Sequence, residues 1–361
     1  GQAKSRGARL QLESGCTLKM MQELRDESKW RALILFGRNV ATYKFAFAQT
    51  LLEQVEMGKE RVSLDDLALP YAGHLIRHLA MEDKQITSAS SGFLEACRAH
   101  ASGKTTEEEL QAITVRLGFN NVVDAFQNLS GAMGQTPFYE KDYANGRKEL
   151  VLKDGLLGLA ESHEKGGLPL EIEARWRLVE TAWSLDVPVH TLEVHATTAG
   201  ELVVEESEVR RRSIAPVRHA LSGYQDGHCF YSALPIEHDG NNVCHVDHLI
   251  PHKFQKYMAD LGMNLDGVWN LVLAEAGVNL SKSDRVPDLQ FLEKLSARNE
   301  FYIASKHPLA ETIVNQTGRT TEIRRAFLNR VYRKALELQG HRQTWIPSNA
   351  GLVHPLPWRL A

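Results

Sequence analysis

Apolar side chains recur at helical spacing between residues 18 and 60, at Leu33, Phe36, Val40, Tyr43, Phe47 and Leu51. A period of three to four residues predicts an amphipathic helical segment there. Ser63 precedes Asp65 and Asp66 and is a candidate cap for a short acidic turn. The helical pattern resumes after Pro70 to about Asp83, and again over 92–101. The polar run His100-Ala101-Ser102-Gly103-Lys104-Thr105-Thr106 marks a loop. Thr106 then opens a helix whose Glu107, Glu108 and Glu109 suit the positive end of its dipole. Helices are also predicted over 121–130 and 170–184.

Farther along, the pattern becomes β-rich. Residues 148–152, 191–195 and 202–205 read as strands, and the last two flank Thr197-Thr198-Ala199-Gly200 as a hairpin. Residues 208–222 read as a basic helix carrying Arg210, Arg211, Arg212 and Arg218, interrupted by Pro216. An amphipathic helix over about 321–338 precedes a Pro/Trp-rich tail. No internal repeat and no low-complexity tract is visible. A domain boundary is expected near 200–210.

A chain of 361 residues has room for two or three small domains. With 43% hydrophobic and 24% charged residues it has the make-up of an ordinary globular protein. No apolar run approaches the roughly 20 residues that cross a bilayer, so membrane insertion is not expected. Gly1-Gln2-Ala3-Lys4-Ser5 has none of the apolar character of a secretory signal. Cys16, Cys97, Cys229 and Cys244 lack paired spacing, which predicts free thiols and a cytoplasmic protein. The net charge of −3 hides a split. From Val209 onward there are 19 Lys+Arg against 14 Asp+Glu, a net of +5; residues 1–208 hold 23 against 31, a net of −8. Such a split suits a nucleic-acid-facing half joined to an acidic one.

The informative chemistry begins at Cys244-His245-Val246-Asp247-His248-Leu249-Ile250-Pro251. Val268-Trp269-Asn270-Leu271-Val272-Leu273 follows, then Asn279-Leu280-Ser281-Lys282-Ser283-Asp284. Asp and His side by side at the end of a short apolar strand need partners if they are buried. A carboxylate and an amide oxygen are hard ligands that suit Mg²⁺ and leave coordination positions for water and phosphate. An imidazole beside them can take a proton from water, and that combination hydrolyses phosphodiesters. Read in isolation, Asp247 and His248 are a strand-end Asp capping a turn beside a half-buried His. His245 and His252 flank the pair; His252 is expected to face solvent, and Trp269 to be core.

The whole segment resembles the ββα-metal core of HNH endonucleases, including the HNH domain of type II CRISPR effectors and stand-alone bacterial HNH nucleases. The resemblance rests on Asp247-His248 followed by Ile250-Pro251, on Asn270 within its apolar run, and on Asn279, Lys282, Ser283 and Asp284. The nine-residue step from Asn270 to Asn279 also fits, and the match covers roughly 60 residues. It implies that His248 is the general base and that Asp247 and Asn279 hold one divalent metal ion. Mg²⁺ is the expected ion, with Mn²⁺ or another as alternatives. Asn270 then orients His248 and braces its loop, and Lys282 contacts phosphate or developing charge. Cys229-Phe230-Tyr231-Ser232 resembles the first strand of such domains, where a Cys-x-x-Cys pair often starts a zinc knuckle; Ser232 replaces the second Cys, so no structural zinc is expected.

The fold class expected is α+β: a mostly helical regulatory or targeting domain over 1–205, an HNH nuclease core over 206–295, and a C-terminal helical extension over 296–361. DNA is the expected partner, with Arg210, Arg211, Arg212, Arg218 and Lys282 as candidate phosphate contacts; a solvated helix face is the alternative for the arginines. Other subunits of a restriction or anti-phage defence system are partners by analogy. A catalytically silent nucleic-acid-binding or assembly subunit, and an RNA nuclease, are the competing functions. The polar cluster Arg38, Asn39, Tyr43 and Lys44 reads as buried braces or a ligand contact. Ser296 to Glu300 reads as packing around the core.

Overall fold

The computed structural model describes residues 25–35, 41–88, 90–127, 137–184, 194–196, 201–207, 210–236, 244–304 and 309–348. The architecture is α+β, many helices with three small antiparallel sheets. It forms two compact units that part between Lys165 and Gly166. Among the described residues no helix is long and apolar enough to cross a membrane.

In the first unit the helical run expected over 18–60 is two helices, α1 (Asp26–Leu35) and α2 (Tyr43–Glu56). Between them Thr42 donates its amide to the Gln85 carbonyl, 3.1 Å, and Ala41 bridges Ile86. Strand β1 (Arg61–Ser63) leads into α3 (Leu64–Leu79), which runs unbroken through Pro70 where the sequence predicted a restart. Ser63 caps α3 in a reciprocal box: its Oγ accepts from the Asp66 amide at 3.0 Å and the Asp66 carboxylate accepts from the Ser63 amide. Thr106 and Glu109 repeat the device on α5 (Glu107–Ile113), which follows α4 (Gly92–Ala101). The helix expected over 121–130 is one turn, α6 (Val122–Ala125), and residues 128–130 lie outside those described.

Strands β2 (Tyr139–Asp142) and β3 (Glu149–Leu152) complete a sheet in the order β1-β3-β2, and α7 (Asp154–Glu161) closes the unit. Phe47 is its hub, meeting Tyr71, Phe119, Phe126 and Tyr139 edge-on with ring centroids 5.4 to 6.3 Å away. Buried Glu164 is neutralised by Arg25 at 2.7 Å and by Arg31. Of the polar cluster, Arg38 and Asn39 lie outside the described residues; Tyr43 hydrogen-bonds Ser91 at 2.6 Å, and Lys44 lies over the Phe45 ring.

The second unit begins with α8 (Gly167–Ser184), followed by β4 (Val194–Ala196), β5 (Glu201–Ser207) and β6 (Arg210–Pro216) in one antiparallel sheet. The expected hairpin is there, but the basic helix predicted over 208–222 is corrected. Residues 210–216 are a strand, and only α9 (Val217–Ser222) is helical. Pro216 disfavours helical backbone at the residue before it and starts a helix without loss, so α9 begins just after it. The unit boundary differs too: it falls near 165, not 200–210, because α8 packs against β6 and α9.

Strand β7 (His245–His248), α10 (Gln255–Ala259), β8 (Leu271–Ala274) and α11 (Ala276–Lys282) come next. Helices α12 (Leu289–Ala304), α13 (Ala310–Thr317) and α14 (Thr321–Gln339) finish the unit. Fully buried Arg298 on α12 donates to the carbonyls of Val268, Trp269 and Leu271, while Asn299 donates to that of Trp269. The 296–300 stretch therefore does pack the chain entering β8, and Arg298 spans it by itself.

Candidate active site

Strands β7 and β8 pair antiparallel, with Asp247 opposite Val272 and His248 opposite Leu271. The Leu-Val-Leu-Ala sequence of β8 is buried throughout, as befits a strand with both faces covered. Among the described residues its second edge is met by no strand. The Gln225 side chain accepts from the Leu273 amide at 2.7 Å and donates to its carbonyl at 2.9 Å, and the Phe230 amide donates to the same carbonyl. Residues 229–232, expected as a first strand, form a turn instead, closed by Ala233 donating to the Cys229 carbonyl.

Successive β7 side chains point to opposite faces. Asp247 is buried, and an isolated buried carboxylate would be expensive. Lys282 answers it from the last turn of α11, with Nζ 3.2 Å from Oδ1 and 3.0 Å from Oδ2. The same ammonium donates to the His248 carbonyl at 2.9 Å, and Tyr231 donates its hydroxyl to Asp247 Oδ2. Lys282 has no exposed surface, and burial lowers its pKa below the ordinary lysine value against the opposing pull of Asp247. Burial, and then the Asp247 charge, push the Tyr231 phenol well above its usual range. The role of Lys282 as a phosphate contact is therefore corrected: it is an internal counter-ion that ties α11 to the end of β7.

His248 has other company. Its Nε2 lies 3.0 Å from Asp266 Oδ1, and the exposed His252 places its own Nε2 3.2 Å from the same oxygen, with the two rings 5.1 Å apart. A quarter of the His248 side chain meets solvent. Burial lowers its pKa from the ordinary histidine value, and Asp266 works the other way. Asn270, fully buried, accepts from the Ile250 amide at 2.9 Å and donates to the carbonyls of Ile250 and Leu265. It braces the turn leaving β7, and its own carbonyl accepts from the Leu249 amide, next to His248, at 2.9 Å.

Asn279 lies on α11, and its amide is 3.3 Å from His245 Nδ1. His245 and Asp247 share one face of β7, so Asn279 stands on the Asp247 side. Among the described residues neither Asn279 nor His248 hydrogen-bonds Asp247, and no three His, Cys, Asp or Glu side chains gather around a common point for an ion. The donor set that remains, one carboxylate and one amide oxygen, fits a hard divalent ion that keeps most of its water.

Of the other residues singled out by sequence, Arg210, Arg211 and Arg212 lie on β6, with Arg211 opposite Glu205 in the register of β5. They are on a strand, not a basic helix face. Arg218 is half-buried near Cys244, whose thiol burial pushes up to about 11 with Arg218 opposing. Asp266 and Tyr231 were not anticipated. Asp266 had a faint signal in Asn264-Leu265-Asp266-Gly267, a polar turn sequence just before Asn270. Tyr231 is set apart only by its place in space. No family model, curated protein or solved structure matches the chain.

Proposed function

We propose that this chain is a metal-dependent endonuclease that hydrolyses DNA phosphodiester bonds with an HNH-type centre. The observation that carries this reading is the neighbouring pair Asp247 and His248 at the end of β7, with Asn279 on the helix that follows β8. His248 removes a proton from water; the water oxygen bonds to phosphorus, the bond from phosphorus to the 3′ oxygen breaks, and the departing 3′ alkoxide takes a proton from solvent. The products are a 5′-phosphate and a 3′-hydroxyl. A divalent ion bound by Asp247 and Asn279 would hold the phosphate and offset charge on the leaving oxygen. Lys282 holds the Asp247 carboxylate in place, and Asn270 fixes the turn behind His248. One such centre cuts one strand, so double-strand cleavage calls for a pair or a partner.

The test is nicking of supercoiled plasmid with Mg²⁺ or Mn²⁺ and an EDTA control. His248→Ala is expected to slow nicking by roughly 10²- to 10⁴-fold, the usual contribution of a general base. The buried ion pair of Lys282 with Asp247 is the one feature that favours the alternative, a catalytically silent nucleic-acid-binding or assembly subunit, because an ammonium already neutralises the carboxylate. Parent protein that nicks no faster than His248→Ala with either ion would decide for that alternative.

A further inference from the structure

Among the described residues Asp266 is the carboxylate paired with the His248 ring, and it is held from several sides. Its amide donates to Asn264 Oδ1 at 3.0 Å; the Leu265 amide donates to Gln255 Oε1 at 2.6 Å; the Leu265 carbonyl accepts from Asn270 at 2.9 Å. The Asn264 carbonyl accepts from the Trp269 indole at 3.0 Å. A loop fixed in this way presents its carboxylate at a set position instead of sampling solvent. Asp266 is about one-third exposed and also receives His252 on the same oxygen, so its charge is shared between two imidazoles.

An ionised carboxylate only accepts hydrogen bonds. A neutral imidazole facing it must therefore carry its proton on the nitrogen that faces it, which for His248 is Nε2. The lone pair is then left on Nδ1. We infer that Asp266 is the positioning residue of the site: it holds the His248 ring in the Nε2–H tautomer and presents Nδ1 as the proton acceptor. The second half of that statement rests on the nuclease reading; the first is a property of the ring whatever the chain does. When Nδ1 takes the proton from water, the carboxylate faces the imidazolium that forms, as a carboxylate behind a catalytic histidine does in other hydrolases. His252, exposed and tied to the same oxygen, limits how far Asp266 can turn away.

The experiment uses the full chain, metal-free, with ¹⁵N-labelled histidine at a pH where the ring is neutral. Two-bond proton–nitrogen correlation spectra distinguish the protonated nitrogen of a ring from the bare one, and His248 is assigned by the signals lost in His248→Gln. The parent is expected to show His248 protonated on Nε2. Asp266→Ala is expected to give a mixture of tautomers, and Asp266→Glu to restore part of the Nε2–H form. In the plasmid assay Asp266→Ala is expected to lower kcat by roughly 10²- to 10⁴-fold with KM changed less than about twofold. Asp266→Asn, close in shape, checks that any loss is not unfolding. A parent ring protonated on Nδ1, or a tautomer and a kcat unmoved by Asp266→Ala, overturns the inference. Should the parent fail to nick with any ion while the tautomer responds as described, the assignment of Asp266 stands and the nuclease reading falls.

Discussion

At the scale of single residues, the site is organised by partners that neutralise buried charge. Lys282 and Asp247 form a buried pair, and removing one member of such a pair leaves the other uncompensated. Lys282→Met is therefore expected to destabilise the second unit by about 3–5 kcal/mol, read from urea unfolding. The thiols obey the same rule. Burial pushes Cys97 up to about 12 and Cys244 up to about 11, and only the thiolate is nucleophilic. Both are expected to resist alkylation at pH 8 in the folded protein and to react at once in urea, followed by mass spectrometry. On the surface, Asp284 has its pKa lowered by Lys253 first, with Arg342 adding to it. A carboxyl lowered on folding stabilises above its unfolded value, and that contribution disappears as pH falls through the lowered one. The Tm gap between the parent and Asp284→Asn is expected to be present at neutral pH and to close in acid.

At the scale of elements, capping and close approach set where helices and turns begin. Ser63→Ala breaks the reciprocal box at the start of α3 and is expected to lower stability by about 1 kcal/mol in a denaturant titration. Gly267 matters more for the site. A Cβ there would come within 2.5 Å of the Trp269 ring and 2.6 Å of Gln316, both in the wall behind Asn270 and Asp266. Gly267→Ala forces that wall outward and is expected to destabilise by about 1–3 kcal/mol, seen as a lower Tm. Strand β8 shows how an element can be finished without a neighbouring strand. One glutamine side chain, Gln225, supplies both the donor and the acceptor that a further strand would bring to Leu273. Arg298 does comparable work for the carbonyls just before β8, which is why the short apolar run at 268–274 tolerates full burial.

At the scale of the whole molecule, the unit boundary changes what the charge means. The −8 and +5 halves were divided at residue 208, yet residues 166–208 belong with the second unit. They hold 9 acidic and 2 basic side chains, so each unit is close to neutral: 21 basic against 22 acidic up to Lys165, and 21 against 23 beyond it. The expected nucleic-acid-facing half joined to an acidic one has no support in that division; acidic β5 and basic β6 pair within a single sheet. A fragment beginning at Gly166 is expected to unfold in one cooperative transition. One beginning at residue 206 removes α8 from β6 and α9 and is expected to lose that cooperativity, by circular dichroism in urea.

What the sequence determined by itself were the features written in local physics. Thr106 announced its helix because a cap acts within three residues, Ser63 announced a capped turn but not the helix it opens, and the amphipathic period of α14 reported its buried face. Asp247, His248, Asn270 and Asn279 drew notice for the same reason, since polar side chains stand out within apolar runs. The tertiary structure decided whatever depended on a partner distant in sequence. Arg210 to Pro216 became a strand because β5 lay ready to pair with it, and the three arginines gave no local warning of that. Lys282 went inward because Asp247, 35 residues earlier, left a buried charge to be met. Asp266 took its place beside His248 only once Asn270, Gln255 and Trp269 had fixed its loop, and no spacing rule joins positions that meet through packing.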